Sequence, residues 1–460
     1  MLPEGFVKRL KTQKYIDPEK LPEALDQPSP VSIRVNPGKW DKTPAGSGPV
    51  PWCSSGFYLN ERYSFTADPL YHAGCYYPQE ASGMFIGEIF RQIAGADNNL
   101  KVLDLCSAPG GKATHLSSLL GPDGLLVANE VIRQRASVLA ENIIRWGATN
   151  TIVTQNDPAD FSSLQGFFDL ILVDAPCSGE GMFRDAVARR EWSEGNALHC
   201  SVRQRRILAA VWPALMEDGI LIYSTCTFNP AENEENVNWL LNNYQAESVK
   251  IDIDGFDGIV KIYQKGISCY GFYPDRLKGE GLFISVIRKT GRDEKSARRE
   301  IKETGSRLSK EDLKTINDRT IFHEKSLLRA GDEIISIAGS RDDYFHLRRK
   351  LRIIKGGTTV CRIKNRVYLP SYQLALSPGF RKGSFPAVDL DYGQAIAYLR
   401  RDTLHLPGQE KGWIVVTYDG VSLGFINNLG NRLNNYYPVN WRIRMEITEN
   451  GYDRIIRWND

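Results

Sequence analysis

The sequence predicts an α/β protein: an open, mostly parallel sheet, preceded by a small N-terminal α+β segment and followed by a β-rich region. Three observations carry this expectation. Between about residues 76 and 290, short runs of apolar residues alternate with amphipathic helical stretches, as in a parallel sheet covered on both faces. Residues 1–75 lack that alternation and hold one short strand-like run. Beyond about residue 330, β-type runs return around tight-turn dipeptides.

Taken in chain order, the N-terminal segment contributes Ser32-Ile33-Arg34-Val35, stopped by Asn36-Pro37-Gly38, and a loop rich in Gly, Pro and Ser at 44–56. The core strands are Val102–Leu105, Leu125–Ala128, Ile152-Val153, Leu170–Val173 and Ile220–Tyr223. Between the second and third, Val138, Leu139, Asn142, Ile143 and Trp146 fall on one helical face, with Gly147 as its stop. A further helix is expected after Asn229-Pro230, with Glu232, Glu234 and Glu235 near its start and Val237, Leu240, Leu241 and Tyr244 turned inward. Residues 291–330 read as a charged linker, densest at 291–315. Residues 331–385 read as an intermediate β-rich or α+β subdomain, and 386–460 as a last β-rich unit. Hairpins are expected at Asp419-Gly420, between Trp413–Tyr418 and Val421–Ile426, and at Asn450-Gly451, between Met445–Ile447 and Arg454–Ile456.

Composition excludes several classes. At 42% apolar and 25% charged residues, the 460-residue chain is neither disordered nor fibrous, and it has room for two to four domains. No apolar run reaches the roughly 18 residues of a membrane span, and Met1–Lys8 lacks the basic-then-apolar order of a secretory signal. The eight cysteines are scattered without a CxxC pair, which argues for a reducing cytoplasm and against both a metal site and a disulfide scaffold. Net charge is +3, but residues 341–460 hold 19 basic and 11 acidic residues, so the rest of the chain is negative. That asymmetry suggests a polyanionic partner or a solvated basic face.

The first core strand runs into Cys106-Ser107-Ala108-Pro109-Gly110-Gly111-Lys112 and then a helix. Glycines admit close approach of a ligand to the backbone, and a helix start offers free amide donors. Glu130 ends the second strand, Asp157 follows the third and Asp174 ends the fourth, so three acids are expected around one crevice. Neither the G-x-G-x-x-G spacing of a dinucleotide site nor a Walker loop is present, and a nucleoside cofactor without phosphates, S-adenosylmethionine, fits better.

The fourth strand leads into Asp174-Ala175-Pro176-Cys177-Ser178-Gly179 and the fifth into Ser224-Thr225-Cys226-Thr227, which delivers two cysteines and a carboxylate to the same edge. Cys53, Cys75, Cys200, Cys269 and Cys361 are expected to be small buried apolar groups. Carbon 5 of cytosine is a weak nucleophile until a thiolate adds to carbon 6, so this constellation suits covalent catalysis. The helix expected after Asn229-Pro230 would lower the pKa of Cys226, Asp174 would assist at ring nitrogen 3, and Cys177 would help expel the enzyme.

These three motifs, with Tyr77-Pro78-Gln79-Glu80-Ala81-Ser82 upstream, resemble the Sun/Fmu-type RNA cytosine-5 methyltransferases over about 75–290. Gly412-Trp413 and Asn434–Pro438 are similar to the extra RNA-binding domain of the bacterial 16S ribosomal RNA members. The resemblance implies a Rossmann-like S-adenosylmethionine-dependent methyltransferase core with a PUA-like C-terminal RNA-binding region. It implies Cys226 as nucleophile, Cys177 as the residue promoting product release, and cofactor contacts from 106–112, Glu130, Arg135, Asp157 and Asp174. One departure is Tyr273-Pro274-Asp275, where many relatives carry a histidine in place of Asp275.

The expected partner is ribosomal RNA or the small ribosomal subunit, met by a cytoplasmic monomer. The N-terminal segment and Arg348, Arg349, Lys350, Arg352 and Lys355 are candidates to grip the RNA backbone. Four alternatives stay open at this point. Transfer RNA could be the substrate, the cysteine roles could be exchanged, the chain could be a nicotinamide or other small-molecule enzyme, or it could be a non-catalytic ribosome-assembly binder.

Overall fold

A computed structural model describes residues 1–95, 98–264, 266–291, 308–365, 367–446 and 454–459. An antiparallel N-terminal sheet comes first, from β1 (Val31–Val35), β2 (Gly48–Val50), β3 (Cys53–Leu59) and β4 (Tyr76–Pro78), in the order β2-β3-β1-β4. The central sheet draws on β5 (Lys101–Asp104), β6 (Leu125–Asn129), β7 (Thr151–Thr154), β8 (Phe168–Asp174), β9 (Leu215–Thr225), β10 (Ala246–Val249), β11 (Val260–Gln264), β12 (Ile267–Phe272) and β13 (Leu282–Lys289). Next come β14 (Leu327–Ala330), β15 (Glu333–Ile337), β16 (Ile353–Lys355), β17 (Gly357–Lys364) and β18 (Val367–Pro370). The last sheet holds β19 (Ala387–Asp389), β20 (Gly412–Tyr418), β21 (Val421–Asn428) and β22 (Leu433–Asn435).

Within the central sheet, β7-β6-β5-β8-β9 are parallel neighbours. The chain reverses its direction of travel between β5 and β8, and in such sheets that switch point opens a crevice at the carboxyl ends of the strands. Beyond β9 the sheet continues antiparallel through β13, β12 and β11. The five parallel strands are apolar on both faces because helices cover both. Leu126, Leu172 and Ile222 pack with Leu116, Leu139 and Ile143 on one side, and Val127, Ile171 and Leu221 pack with Leu208 and Val211 on the other.

At the opposite edge, β16 pairs antiparallel with β7. The stretch expected to form an intermediate subdomain therefore extends the central sheet through β16, while β14, β15, β17 and β18 make a sheet of their own. The N-terminal sheet and the last sheet share a core in which Ile33, Val35 and Tyr76 meet Tyr398, Ile414 and Val416. The β20–β21 hairpin turns at Asp419-Gly420, with φ of 49° and 73°, the left-handed values expected of that dipeptide. The second expected hairpin, at Asn450-Gly451, and most of the charge-dense linker lie outside the described residues. The end of that linker is a helix, Lys310–Asn317, opened by a capping box of Ser309 and Asp312.

Several details differ from the sequence expectation. Helix Arg133–Trp146 buries Ala136, Leu139, Ile143 and Trp146, but Val138 is exposed because it sits one residue, about 100°, off that stripe. The helix expected at Asn229-Pro230 begins at Glu234. Residues 230–233 form a turn instead, since Glu232 points its carboxylate inward to accept hydrogen bonds rather than capping a helix. Cys200 is half-buried on helix Glu194–Val211, beside the inward stripe of Ala197, Ser201, Gln204 and Leu208, whereas Cys53, Cys75, Cys269 and Cys361 are buried. Lys355 is no surface cation: it is buried and donates to the carbonyls of Ala148 and Thr151, and burial lowers its pKa to about 7. Arg348, Arg349, Lys350 and Arg352 are exposed.

Candidate active site

The loop after β5, residues 105–110, turns through Gly110 at φ 116° into helix Gly111–Leu119. Three neighbours hold this turn. Asn142 Nδ2 donates to the Pro109 carbonyl (2.9 Å), Arg135 Nη2 donates to the Ala108 carbonyl (2.8 Å), and Ser107 Oγ donates to Asp104 Oδ2 (2.9 Å). From the N-terminal sheet, the buried Arg34 guanidinium donates to Gln79 Oε1 (2.8 Å) and Thr114 Oγ1 (2.6 Å) and lies 4.2 Å from the Trp146 ring. The N-terminal unit thus braces the helix that the turn opens.

A cavity of about 410 Å³ lies over this turn, within the roughly 300–1,000 Å³ range of ligand pockets. Cys106, Ser107, Ala108, Pro109, Gly111 and Lys112 line it together with Asp104, Asp174 and Cys226. The upstream motif adds Tyr77, Pro78, Gln79 and Glu80, and Met182 and Glu280–Leu282 close the far side. Lys112 Nζ donates to Asp174 Oδ2 (2.7 Å) and Ser224 Oγ donates to Asp174 Oδ1 (2.7 Å). Burial is the largest single influence on Lys112 and lowers its pKa, but the charge and hydrogen bond of Asp174, with smaller contributions from Asp104 and then Cys226, together hold the ammonium above its usual value.

The two motif cysteines meet. Their sulfurs are 2.8 Å apart, and the Cys226 amide donates to Cys177 Sγ (3.2 Å). Of the pair, Cys226 lines the cavity and Cys177 sits behind it. Its hydrogen bond with Cys226, then burial, raises the Cys177 thiol well above the usual range, so Cys177 stays protonated. The two loops are held together by Glu232, which is fully buried. Its carboxylate accepts from the Ser178 amide (2.9 Å), from Ser178 Oγ and from Gln204 Nε2 (3.0 Å). The electrostatic neighbour of Cys226 is therefore Lys112 rather than the expected helix start, which lies eight residues further along the chain.

The remaining candidate residues divide. Glu130 is buried at the end of β6, accepts from the Ile132 amide (2.9 Å) and pairs with Arg135 (3.2 Å), but it does not line the cavity. Asp157 is exposed and caps the short helix Pro158–Ser163 by accepting from the Ala159 amide (3.0 Å). Asp275 pairs loosely with Arg276 (3.8 Å), and burial raises its pKa. Sequence reasoning passed over Asp104, the last residue of β5. It is almost fully buried, its Oδ1 has no hydrogen-bond partner, and burial lifts its pKa to about 7, with Asp174 and Glu130 adding to the rise. Its signal was present, an acid ending an apolar strand just before the glycine turn, but it reads in sequence as part of the strand. Among the described residues no cluster could hold a metal ion, and no helix is long and apolar enough to cross a membrane.

Comparison with known proteins shows the family. A family model described as 16S rRNA methyltransferase RsmB/F matches residues 92–288. Models of the N-terminal domain of 16S rRNA methyltransferase RsmF and of the methyltransferase RsmF PUA domain match residues 2–81 and 385–443. Ribosomal RNA small subunit methyltransferase F of Klebsiella pneumoniae (strain 342) is 30% identical over 482 residues, covering 95% of each chain. The protein of that name from Shewanella loihica is 31% identical, covering 85% of this chain and 82% of that one. A crystal structure of a methyltransferase homologue from Pyrococcus horikoshii superposes with a TM-score of 0.53 at 29% identity, covering 62% of this chain and 95% of that one. The chain belongs to the 16S rRNA methyltransferase RsmB/F family, whose core is the S-adenosylmethionine-dependent methyltransferase fold.

Proposed function

We propose that this protein methylates carbon 5 of a cytosine in 16S ribosomal RNA, in the cytoplasm, using S-adenosylmethionine. The observation that carries the reading is the approach of Cys226 to Asp174, Lys112 and the glycine turn around a single cavity. The cavity fits the cofactor. Asp104 Oδ1 is an unpartnered buried acceptor in its wall, and the turn offers backbone that a ligand can approach closely. The turn, Asp104 and Tyr77 would hold it, with Glu130 and Arg135 bracing the turn from behind. When bound, S-adenosylmethionine supplies an electrophilic methyl group on a sulfonium.

The residues of the chain perform the rest. The Cys226 thiolate, with the Lys112 ammonium as its nearby cation, adds to carbon 6 of the cytosine, and the ring electrons become available at carbon 5. Both Asp174 oxygens accept hydrogen bonds here, so the proton needed at ring nitrogen 3 crosses the Lys112–Asp174 hydrogen bond and is delivered by Asp174. After carbon 5 is methylated, its proton passes to solvent water, the bond between carbon 6 and Cys226 breaks to regenerate the thiolate, and the proton on ring nitrogen 3 returns through Asp174 to Lys112. Cys177, in contact with the departing sulfur, assists that release. The target base reaches this half-buried sulfur only when flipped or single-stranded.

The test is adduct formation with small-subunit RNA from cells lacking the protein. Cys177→Ala should accumulate a covalent protein–RNA species on a denaturing gel, while Cys226→Ala should abolish both the adduct and turnover. The reverse pattern would refute the assignment of roles.

A further inference from the structure

A second cavity, of about 360 Å³, lies on the other side of the segment that carries the nucleophile. Thr227 and Phe228, the two residues after Cys226, form part of its wall, and Leu282 lines both cavities. Its opposite wall comes from the N-terminal segment, whose Gln13 Nε2 donates to the Phe228 carbonyl (2.8 Å). Arg9 reaches further in and pairs with the fully buried Glu180 carboxylate (2.6 Å), which also accepts from the Phe228 amide (3.2 Å). The two cavities are thus separated by little more than one strand end.

We propose that this second cavity receives a nucleoside of the RNA strand adjacent to the target cytosine; the proposal rests on the RNA substrate argued above. Its lining matches a base and a phosphate. Tyr15, Tyr263 and Tyr273 supply aromatic surface; the Tyr15 hydroxyl donates to the Tyr263 carbonyl (2.8 Å), and Tyr263 is 53% exposed. Lys14 lines the cavity and is exposed, and Lys8 and Lys11 are exposed on the same segment, so positive charge for a phosphate comes from these lysines while Arg9 is engaged by Glu180. Hydrogen-bonding capacity is left over as well: Gln13 Oε1 and Glu234 Oε2 have no partner, and burial lifts the Glu234 carboxyl to about 7, where it can donate or accept.

The chemistry of the reaction gives such a pocket a purpose. Extruding one base unstacks its neighbours, and an aromatic surface beside the nucleophile recovers part of that lost stacking. A second held nucleoside also fixes the strand register, so that one cytosine rather than the next is presented to Cys226.

The experiment uses the full chain and small-subunit RNA, protein-free or as subunits, from cells lacking the protein. Tyr263→Ala should raise the KM for RNA about 5- to 150-fold, the range of losing one base–aromatic stack. The KM for S-adenosylmethionine should stay within twofold and kcat should change little. Tyr263→Phe should restore the wild-type KM, which loss of a hydroxyl contact would not allow. Lys14→Gln should raise the KM and flatten its salt dependence. Ultraviolet cross-linking of the wild-type complex should map to a nucleotide within two of the methylated cytosine. An unchanged KM for Tyr263→Ala, a cross-link to distant RNA, or a cross-link to a ribosomal protein would overturn the pocket and leave the methyltransferase reading standing. A wild-type protein that binds the RNA and methylates no cytosine would overturn both.

Discussion

Replacing Asp104 with asparagine should make the cofactor-free protein more stable at pH 8. The carboxyl is almost fully buried, one of its oxygens has no partner, and burial raises its pKa from 3.8 to about 7. A raised value means that the folded state keeps a proton which the unfolded chain releases. Below about pH 4 both states are protonated and the residue contributes no penalty. Between about 4 and 7 the penalty grows, and above about 7 it is complete. At about 1.4 kcal/mol per unit, a shift of roughly three units corresponds to about 4 kcal/mol. Asparagine retains an acceptor for Ser107 Oγ and sheds the charge, so about 2–4 kcal/mol should be recovered at pH 8. Urea denaturation of the cofactor-free protein at pH 8 and near pH 4.5 measures this. The gain should shrink at the lower pH, and calorimetry should show weakened binding of S-adenosylmethionine to Asp104→Asn. An equal gain at both pH values, or none at pH 8, would refute the argument that a desolvated charge resides there.

Two further perturbations address other buried charges. In Glu232→Gln, the amide oxygen keeps the Ser178 amide and Gln204 Nε2, which share one carboxylate oxygen, but the new NH2 faces Ser178 Oγ, so that charge-assisted hydrogen bond is lost. Burial holds the Glu232 pKa above its usual value, so shedding the charge offsets part of that loss. Stability should fall by no more than about 1.5 kcal/mol, measured by urea denaturation, and single-turnover methylation should slow while S-adenosylmethionine affinity holds. In Lys355→Met, the lysine has a lowered folded pKa of about 7, so its penalty is complete below pH 7 and fades as pH rises toward 10.5. Its two hydrogen bonds are long (3.3 and 3.4 Å), so removing it should stabilise the protein by about 1–3 kcal/mol at pH 7 and by little at pH 10. Midpoints of urea unfolding at the two pH values decide it.

The central sheet was legible because its strands are short and apolar on both sides and its helices keep a 3.6-residue stripe, which are local signals. The expected strand Leu170–Val173 lies inside the observed Phe168–Asp174, and the Asp419-Gly420 hairpin formed where its dipeptide requires left-handed backbone. What sequence could not carry was direction and partnership across long separations. Glu232 reads as a helix-start acid, and only the fold shows it turned inward to Ser178, 54 residues earlier in the chain. Asp157 and Asp104 both follow the pattern of strand-end acids, yet one caps a surface turn and the other faces the cavity. Lys355 belongs to a run of cations in sequence, but pairing of β16 with β7 places it beneath the sheet edge, where its neighbours are backbone carbonyls. The approach of Cys177 to Cys226 followed from the strand ends; which of them lines the cavity did not.

The pairing of β16 with β7 also bears on how this protein can be divided. Thr151–Thr154 would otherwise be a bare sheet margin, with unpaired amides and carbonyls ready to recruit a strand from another molecule. A fragment ending near residue 290 keeps every group implicated in chemistry but loses the segment that seals this margin. Such a truncation should self-associate, and extending it past Lys355 is the remedy that the topology specifies.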